Sequence, residues 1–284
     1  MRKVKVITDS TADIPAELVQ ELEISVVPLK VHLQGQTYLD GVDIRAEEFY
    51  KKLQEANELA TTSQPSPIDF VETYRAAAKE GDVDLLSIHL SSAFSGTFQS
   101  ALLAKSMVEE EFKVTVIDSK KASYAIGMIV VEVARSAKEG KSLDECVALV
   151  NRMIDEMGVY FMVDTLEYLQ KGGRIGKASA LVGSLLNIKP ILSISENGEV
   201  FPLDKVRGKS KAEARVFELI REKAGDKGLA KAAVFHADRP EEAERWAERL
   251  RNEFAVEDVV ITQIGPVVGA HVGPGTIAVV VLPA

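Results

Sequence analysis

The feature that most constrains this chain is a strict alternation of short β-branched runs with helical segments through its first half. Residues 4–8 form a compact apolar run that reads as a buried strand. Asp13 is placed to cap the helix that follows, with Pro15 in its first turn. Residues 84–90 and 113–117 read as further strands, and 97–110 and 122–138 as the helices after them. Short strands joined by helices imply right-handed crossovers and a mainly parallel sheet covered by helices on both faces. Between the first two units, residues 25–33 are strand-like but carry Pro28, which confines them to an edge or bulge. Residues 46–53 look helical. Ser66-Pro67-Ile68-Asp69 has the cap, first-turn proline and third-position acid of a helix start.

The rhythm changes after Gly158. A helix over 142–156 precedes it, and a strand over 160–163 and two short helical pieces around Gly172-Gly173 follow. Residues 191–195 and 199–203 flank Asn197-Gly198, a hairpin signal. Helices over 211–223 and 241–252 then alternate with strands over 232–236, 259–263 and 276–282. The expected architecture is two α/β domains. Residues 1–158 carry the parallel sheet and 159–284 a mixed-sheet α/β domain, with segment 61–80 able to pack with the second. A chain of 284 residues with 46% hydrophobic and 27% charged side chains is large enough for two such cores.

Composition removes several classes of function. The net charge of −9 argues against nucleic acid as a partner. Cys146 stands alone, so no intrachain disulfide framework exists, which fits a reducing cytoplasm. No apolar stretch approaches the roughly 18 residues of a membrane span, and the start of the chain lacks the apolar core of a signal peptide. No G-x-G-x-x-G fingerprint, P-loop, G-x-S-x-G elbow or metal-spaced Cys/His set is present, so no cofactor or metal is expected. Lys171-Gly172-Gly173-Arg174-Ile175-Gly176-Lys177 has three residues between glycines where a P-loop needs four. It reads as a basic site around Arg174 or as a helix C-cap with solvated charges.

Four clusters carry what polar chemistry remains: Thr8-Asp9-Ser10-Thr11, the run from Thr61 to Ser66, the run from Ser91 to Thr97, and a glycine- and proline-rich stretch from Gly265 to Gly275 that contains His271. Three lie at strand ends ahead of helices, where ligands collect in open α/β sheets. Ser95-Gly96-Thr97 is the sharpest, because free amides and the positive end of a helix dipole favour an anion there. Plain capping by Ser92 or Ser95 explains the same residues equally well. Thr62 and Ser63 could simply shape a turn. Asp9 is expected to bond the amides of the Ser10-Thr11 turn, and His32, His89 and His236 are read as structural. The Gly265 to Gly275 stretch is read as a loop holding His271 on an unusual backbone.

Taken in order, Thr8-Asp9-Ser10, Thr62-Ser63-Gln64-Pro65, Ser95-Gly96-Thr97, Gly172-Gly173-Arg174, Lys205-Val206-Arg207 and the Gly269 to Gly275 stretch with His271 resemble the DegV family over almost the whole chain. The resemblance implies a non-catalytic protein that binds a long-chain fatty acid such as palmitate, stearate or oleate between its two domains. It implies that Thr62, Ser95 and Gly96 hold the carboxylate, with His271 beside them. It further implies that the protein presents the acid, for bacterial phospholipid synthesis, to a separate ATP-binding kinase subunit that makes the acyl phosphate. Arg174 and Arg207 match positions near that subunit's dock or the phosphate. Candidate tail contacts are Phe94, Phe161, Met162, Leu166, Ile188 and Ile191. The competing reading from residue types is a serine hydrolase with Ser95 as nucleophile, His271 as base, and Asp9 or Asp118 as the third member.

Overall fold

The computed structural model describes residues 2–56, 58–79, 81–183, 188–256 and 258–284. Its first sheet is parallel, with strands in the order Ser25–Val27, Lys3–Asp9, Val83–His89, Val114–Asp118. The second is mixed, in the order Val200–Arg207, Ile188–Ile194, Gly158–Met162, Ile277–Pro283, Leu229–His236, Val259–Gln263. Its last pair runs parallel and its other pairings are antiparallel. The expected pair of α/β domains, one parallel and one mixed, is therefore present.

Side-chain alternation decides how the layers stack. In the strand Gly158–Met162 and its neighbour Ile277–Pro283, one face carries Val159, Phe161, Ala278 and Val280, and the other Tyr160, Met162, Ile277 and Val279. The second face packs on helices Lys209–Ala224 and Pro240–Phe254 through Phe217, Trp246 and Leu250. The first face joins Val4, Val6, Leu86 and Ile88 of the parallel sheet through helices Tyr124–Lys138 and Leu143–Glu156, which lie between the two sheets. One continuous apolar cluster thus runs from sheet to sheet. Tyr124–Lys138 is buried along most of its length, as a helix covered on two sides must be. Helices Pro67–Ala78 and Thr97–Met107 cover the far face of the parallel sheet, where Phe70, Val71 and Tyr74 meet Ile7 and Leu85. Ser66 caps the first of them in a full capping box with Asp69, as the sequence suggests. Segment 61–80 thus divides between the strand Thr61–Ser63 and this helix; its last residue, Glu80, lies outside the described residues.

The strand-like run 25–33 supplies one strand of a third, three-stranded sheet whose other strands the sequence does not signal: Gln36–Leu39, Lys30–Leu33 and Thr61–Ser63, all antiparallel. Pro28 does not sit inside one long strand. It separates Ser25–Val27, at the edge of the parallel sheet, from Lys30–Leu33 in this small one. Leu33 pairs with Gln36, and Gln34 and Gly35 between them both have positive φ, the geometry of a two-residue type I′ turn. Strands of three and four residues are too short to show a period of two, which is why the pattern hides them.

The Gly265 to Gly275 stretch is likewise not a loop throughout. Pro266–Val272 is a helix, so His271 stands on regular backbone. Pro266 occupies its first turn and Gly273, at φ 77°, ends it.

Candidate functional site

A cavity of about 100 Å³ opens between the two domains. Its walls come from both domains. Leu29 and Leu90 enter from the first, and Val159, Phe161, Phe235 and Ala278 from the inward face of the mixed sheet. Val267, Val268 and Val272 enter from one side of the helix that carries His271.

The alternation that built the layers also sorts the expected tail contacts. Phe94 and Phe161 do line the cavity. Met162 and Ile191 do not, because a shift of one residue along a strand points them into the opposite cluster with Trp246. Ile188 and Leu166 flank a separate small cleft with Lys189 and Asp164.

Polar side chains also line the cavity, Ser123 and Thr276 among them. Thr62, Gln64, Ser95, Arg174 and His271 all line it. The pairing of Thr62 with Val31 brings Thr62 to the helix Pro266–Val272, and Thr62 Oγ1 lies 2.8 Å from His271 Nε2. His271 Nδ1 is buried with no hydrogen-bond partner among the described residues. Burial first, and then the charge of Arg174, lower the imidazole pKa from 6.5 to about 4, so His271 is neutral at pH 7. Ser95 Oγ lies 2.9 Å from Thr97 Oγ1 and accepts from the Thr97 amide at 3.3 Å. Gly96 stands at the N-cap of the eleven-residue helix Thr97–Met107, which has no side-chain cap bond.

Gly96 is not itself part of the cavity wall. It makes room for a neighbour: a Cβ there would lie 2.6 Å from Gln64 Nε2. Gly172 does the same for His271, whose Nδ1 would be 2.4 Å from a Cβ. Arg174 is held by its Nε to the Phe94 carbonyl at 2.9 Å and by Nη1 to the Gly172 carbonyl at 2.6 Å. It therefore belongs to the cavity wall, closer to the hydroxyls than its place in a basic run indicates. Arg207 is exposed at the end of the outer strand Val200–Arg207, away from the cavity lining. Gln64 lies within the Thr62-Ser63-Gln64-Pro65 run, but nothing in its residue type singles it out. The glycine that accommodates it was the available signal.

Two hydroxyls, a neutral imidazole and a guanidinium in the wall of a mainly apolar cavity form a set of donors for an anion with an apolar tail. They do not form a nucleophilic relay. Ser95 engages Thr97, His271 engages Thr62, and among the described residues no carboxylate orients Nδ1. The carboxylates offered as third members are used elsewhere. Asp118 accepts from the amides of Ser92 and Lys120. Asp9 accepts from the Thr11 amide and hydroxyl, as the turn reading expects, and also from the Leu90 amide. Its other contact is His89 Nδ1 at 2.9 Å, and a chain continues from His89 Nε2 to Ser87 at 2.6 Å and on to Tyr74 at 3.0 Å. Those four residues are fully buried, so this Asp-His-Ser-Tyr line ties the strands Lys3–Asp9 and Val83–His89 to the helix Pro67–Ala78, and none of the four lines the cavity. Among the described residues no group of three or more His, Cys, Asp or Glu could hold a metal, and no helix is long and apolar enough to cross a membrane.

Comparison with known proteins agrees with this architecture. A DegV domain-containing protein of Halalkalibacterium halodurans is 42% identical over 277 residues, covering 98% of this chain and 97% of its own. A DegV family protein from Thermus thermophilus, solved in connection with fatty acid binding, superposes with a TM-score of 0.92 at 38% identity, over 99% of this chain and 100% of that one. DegV of Bacillus subtilis, described as a fatty acid binding protein, gives 0.91 at 37% identity with the same coverage. The family model described as "Uncharacterised protein, DegV family" matches residues 3–284, and the chain belongs to the DegV family.

Proposed function

We propose that this protein binds a long-chain fatty acid, of the class of palmitate, stearate or oleate, and presents its carboxylate to a separate ATP-binding kinase subunit. The observation that carries the reading is the junction of the apolar channel with the cluster of Thr62, Ser95 and His271. Burial of an acyl tail gives about 0.8 kcal/mol per methylene, so about fourteen methylenes contribute roughly 11 kcal/mol before ordering costs. Each head-group hydrogen bond adds about 1–3 kcal/mol. The tail then supplies most of the affinity, and the hydroxyls recognise the acid and fix its depth. Gly96 serves by seating Gln64 beside them. The two solved relatives described by their fatty acid binding support the assignment of ligand class.

Presentation in trans, in the cytoplasm, is the matching division of labour, because the head cluster offers donors and no nucleotide-binding motif. Arg174, in the channel wall, and the exposed Arg207 are the side chains we assign to the phosphate or to the docked kinase. Calorimetric titration of delipidated protein with oleate tests the binding step. The expected result is one site per chain with a negative heat-capacity change from apolar burial. Absence of saturable binding to both oleate and palmitate would contradict it.

A further inference from the structure

The helix that carries His271 is pinned at its start by the other domain. Its N-cap is Gly265, preceded by Ile264. Tyr50, on helix Ala46–Glu55, donates its hydroxyl to the Ile264 carbonyl at 2.9 Å. Asp13 takes the next group: its Oδ1 accepts from the Gly265 amide at 3.0 Å. The same residue makes two further ties. Its Oδ2 accepts from Ser123 Oγ, beside the channel, and its main-chain oxygen accepts from Thr262 Oγ1 at 3.0 Å. A Cβ at Gly265 would stand 2.5 Å from Asp13 Oδ1, so the approach depends on glycine.

Asp13 is itself held at φ 49°, in the left-handed region, just after the first strand and its short helical turn. One residue therefore links the loop after the first strand, the start of helix Tyr124–Lys138 and the start of helix Pro266–Val272. His271 lies six residues beyond Gly265, about 9 Å along the axis at 1.5 Å per residue. A small swing of the helix about its start would carry Nε2 off its 2.8 Å contact with Thr62. At the far end Gly273 abuts the Tyr168 ring, within the second domain, and midway Gly269 lies against Tyr50 and Phe49, so the first domain holds the helix at its beginning and its middle.

We infer that Asp13 is a positioning residue for the ligand site: by accepting the Gly265 amide it fixes the helix that aims His271 at the head group. This rests on the proposal that His271 meets the ligand's carboxylate. Asp13 touches no ligand and acts through the helix.

A double-mutant cycle with radiolabelled oleate on the full chain tests it. His271→Ala and Asp13→Ala are each expected to weaken binding about tenfold, and Asp13→Ala in the His271→Ala background to add less than about threefold, since coupled residues are non-additive. Equal losses from Asp13→Ala in both backgrounds would overturn the positioning role and leave fatty-acid binding standing. A wild-type protein that binds no oleate would overturn the fatty-acid reading, and this inference with it. If Asp13→Ala does not fold, Asp13→Asn decides, because its amide oxygen still accepts from Gly265. It is expected to bind within about threefold of wild type, and a tenfold loss would overturn the role.

Discussion

Replacing Asp40 with Asn should make the protein more stable at pH 8 than at pH 4.5, relative to wild type. Asp40 is 4% exposed, and its Oδ2 has no hydrogen-bond partner among the described residues. Desolvation is the main cause that raises its pKa from 3.8 to about 7, and the nearby charge of Asp9 adds to it. A folded-state value above the unfolded one means that the fold holds the proton more tightly. The stability this contributes is complete below pH 3.8 and is lost as the pH climbs through 7. At about 1.4 kcal/mol per tenfold change in proton affinity, the whole span is about 4 kcal/mol, of which about 3 kcal/mol falls between pH 4.5 and 8. Asn cannot ionise and removes that dependence. Its amide would occupy the unpartnered Oδ2 position at a cost of about 1–3 kcal/mol, but that cost is the same at both pH values. The Tm difference, variant minus wild type, should therefore rise by roughly 6–12 °C from pH 4.5 to pH 8. Differential scanning calorimetry at the two pH values measures it. A difference that does not change with pH would refute the reasoning.

Thr62→Val keeps the shape of the side chain but removes the hydroxyl, and oleate affinity should fall about tenfold or more, as for a lost hydrogen bond to a charged group. Equilibrium binding checks this, and an unchanged Kd would remove Thr62 from the head site. Burial and Arg174 lower the His271 pKa to about 4, so its imidazole NMR signals in ligand-free protein should titrate near that value; a midpoint near 6.5 would contradict the site's geometry. The sign follows from the lowered value: the neutral ring is favoured, and stability is lost as the pH falls from 6.5 through 4. Gly96→Ala should change Tm little, since Gln64's amide is a flexible end that can move, yet weaken oleate binding by displacing it from the wall.

Much of the fold was legible because it rests on long, repeated signals. The β-α-β-α alternation implied the parallel sheet, and Ser66-Pro67-Ile68-Asp69 marked the start of the helix Pro67–Ala78. The small sheet of Lys30–Leu33, Gln36–Leu39 and Thr61–Ser63 was not legible, because its strands have three or four residues and pair across a long interval. That matters for the site, since this sheet is what brings Thr62 to His271. The helix Pro266–Val272 was signalled by Pro266 and Gly273, but the four glycines and two prolines between Gly265 and Gly275 read more strongly as loop. Which of two adjacent strand residues faces the channel was also beyond the sequence. Both faces of Gly158–Met162 are buried, so apolar character cannot separate Phe161 from Met162. Asp13 read as a helix cap, whereas its partners Ser123, Thr262 and Gly265 lie 110 to 252 residues away.

The most direct test of fatty-acid binding is native mass spectrometry of the freshly purified protein, followed by analysis of its organic extract. The expected result is a complex of one chain with one long-chain fatty acid, lost on denaturation and restored by adding oleate to delipidated protein. A protein that carries no fatty acid as purified and takes up none when oleate or palmitate is supplied would contradict the account.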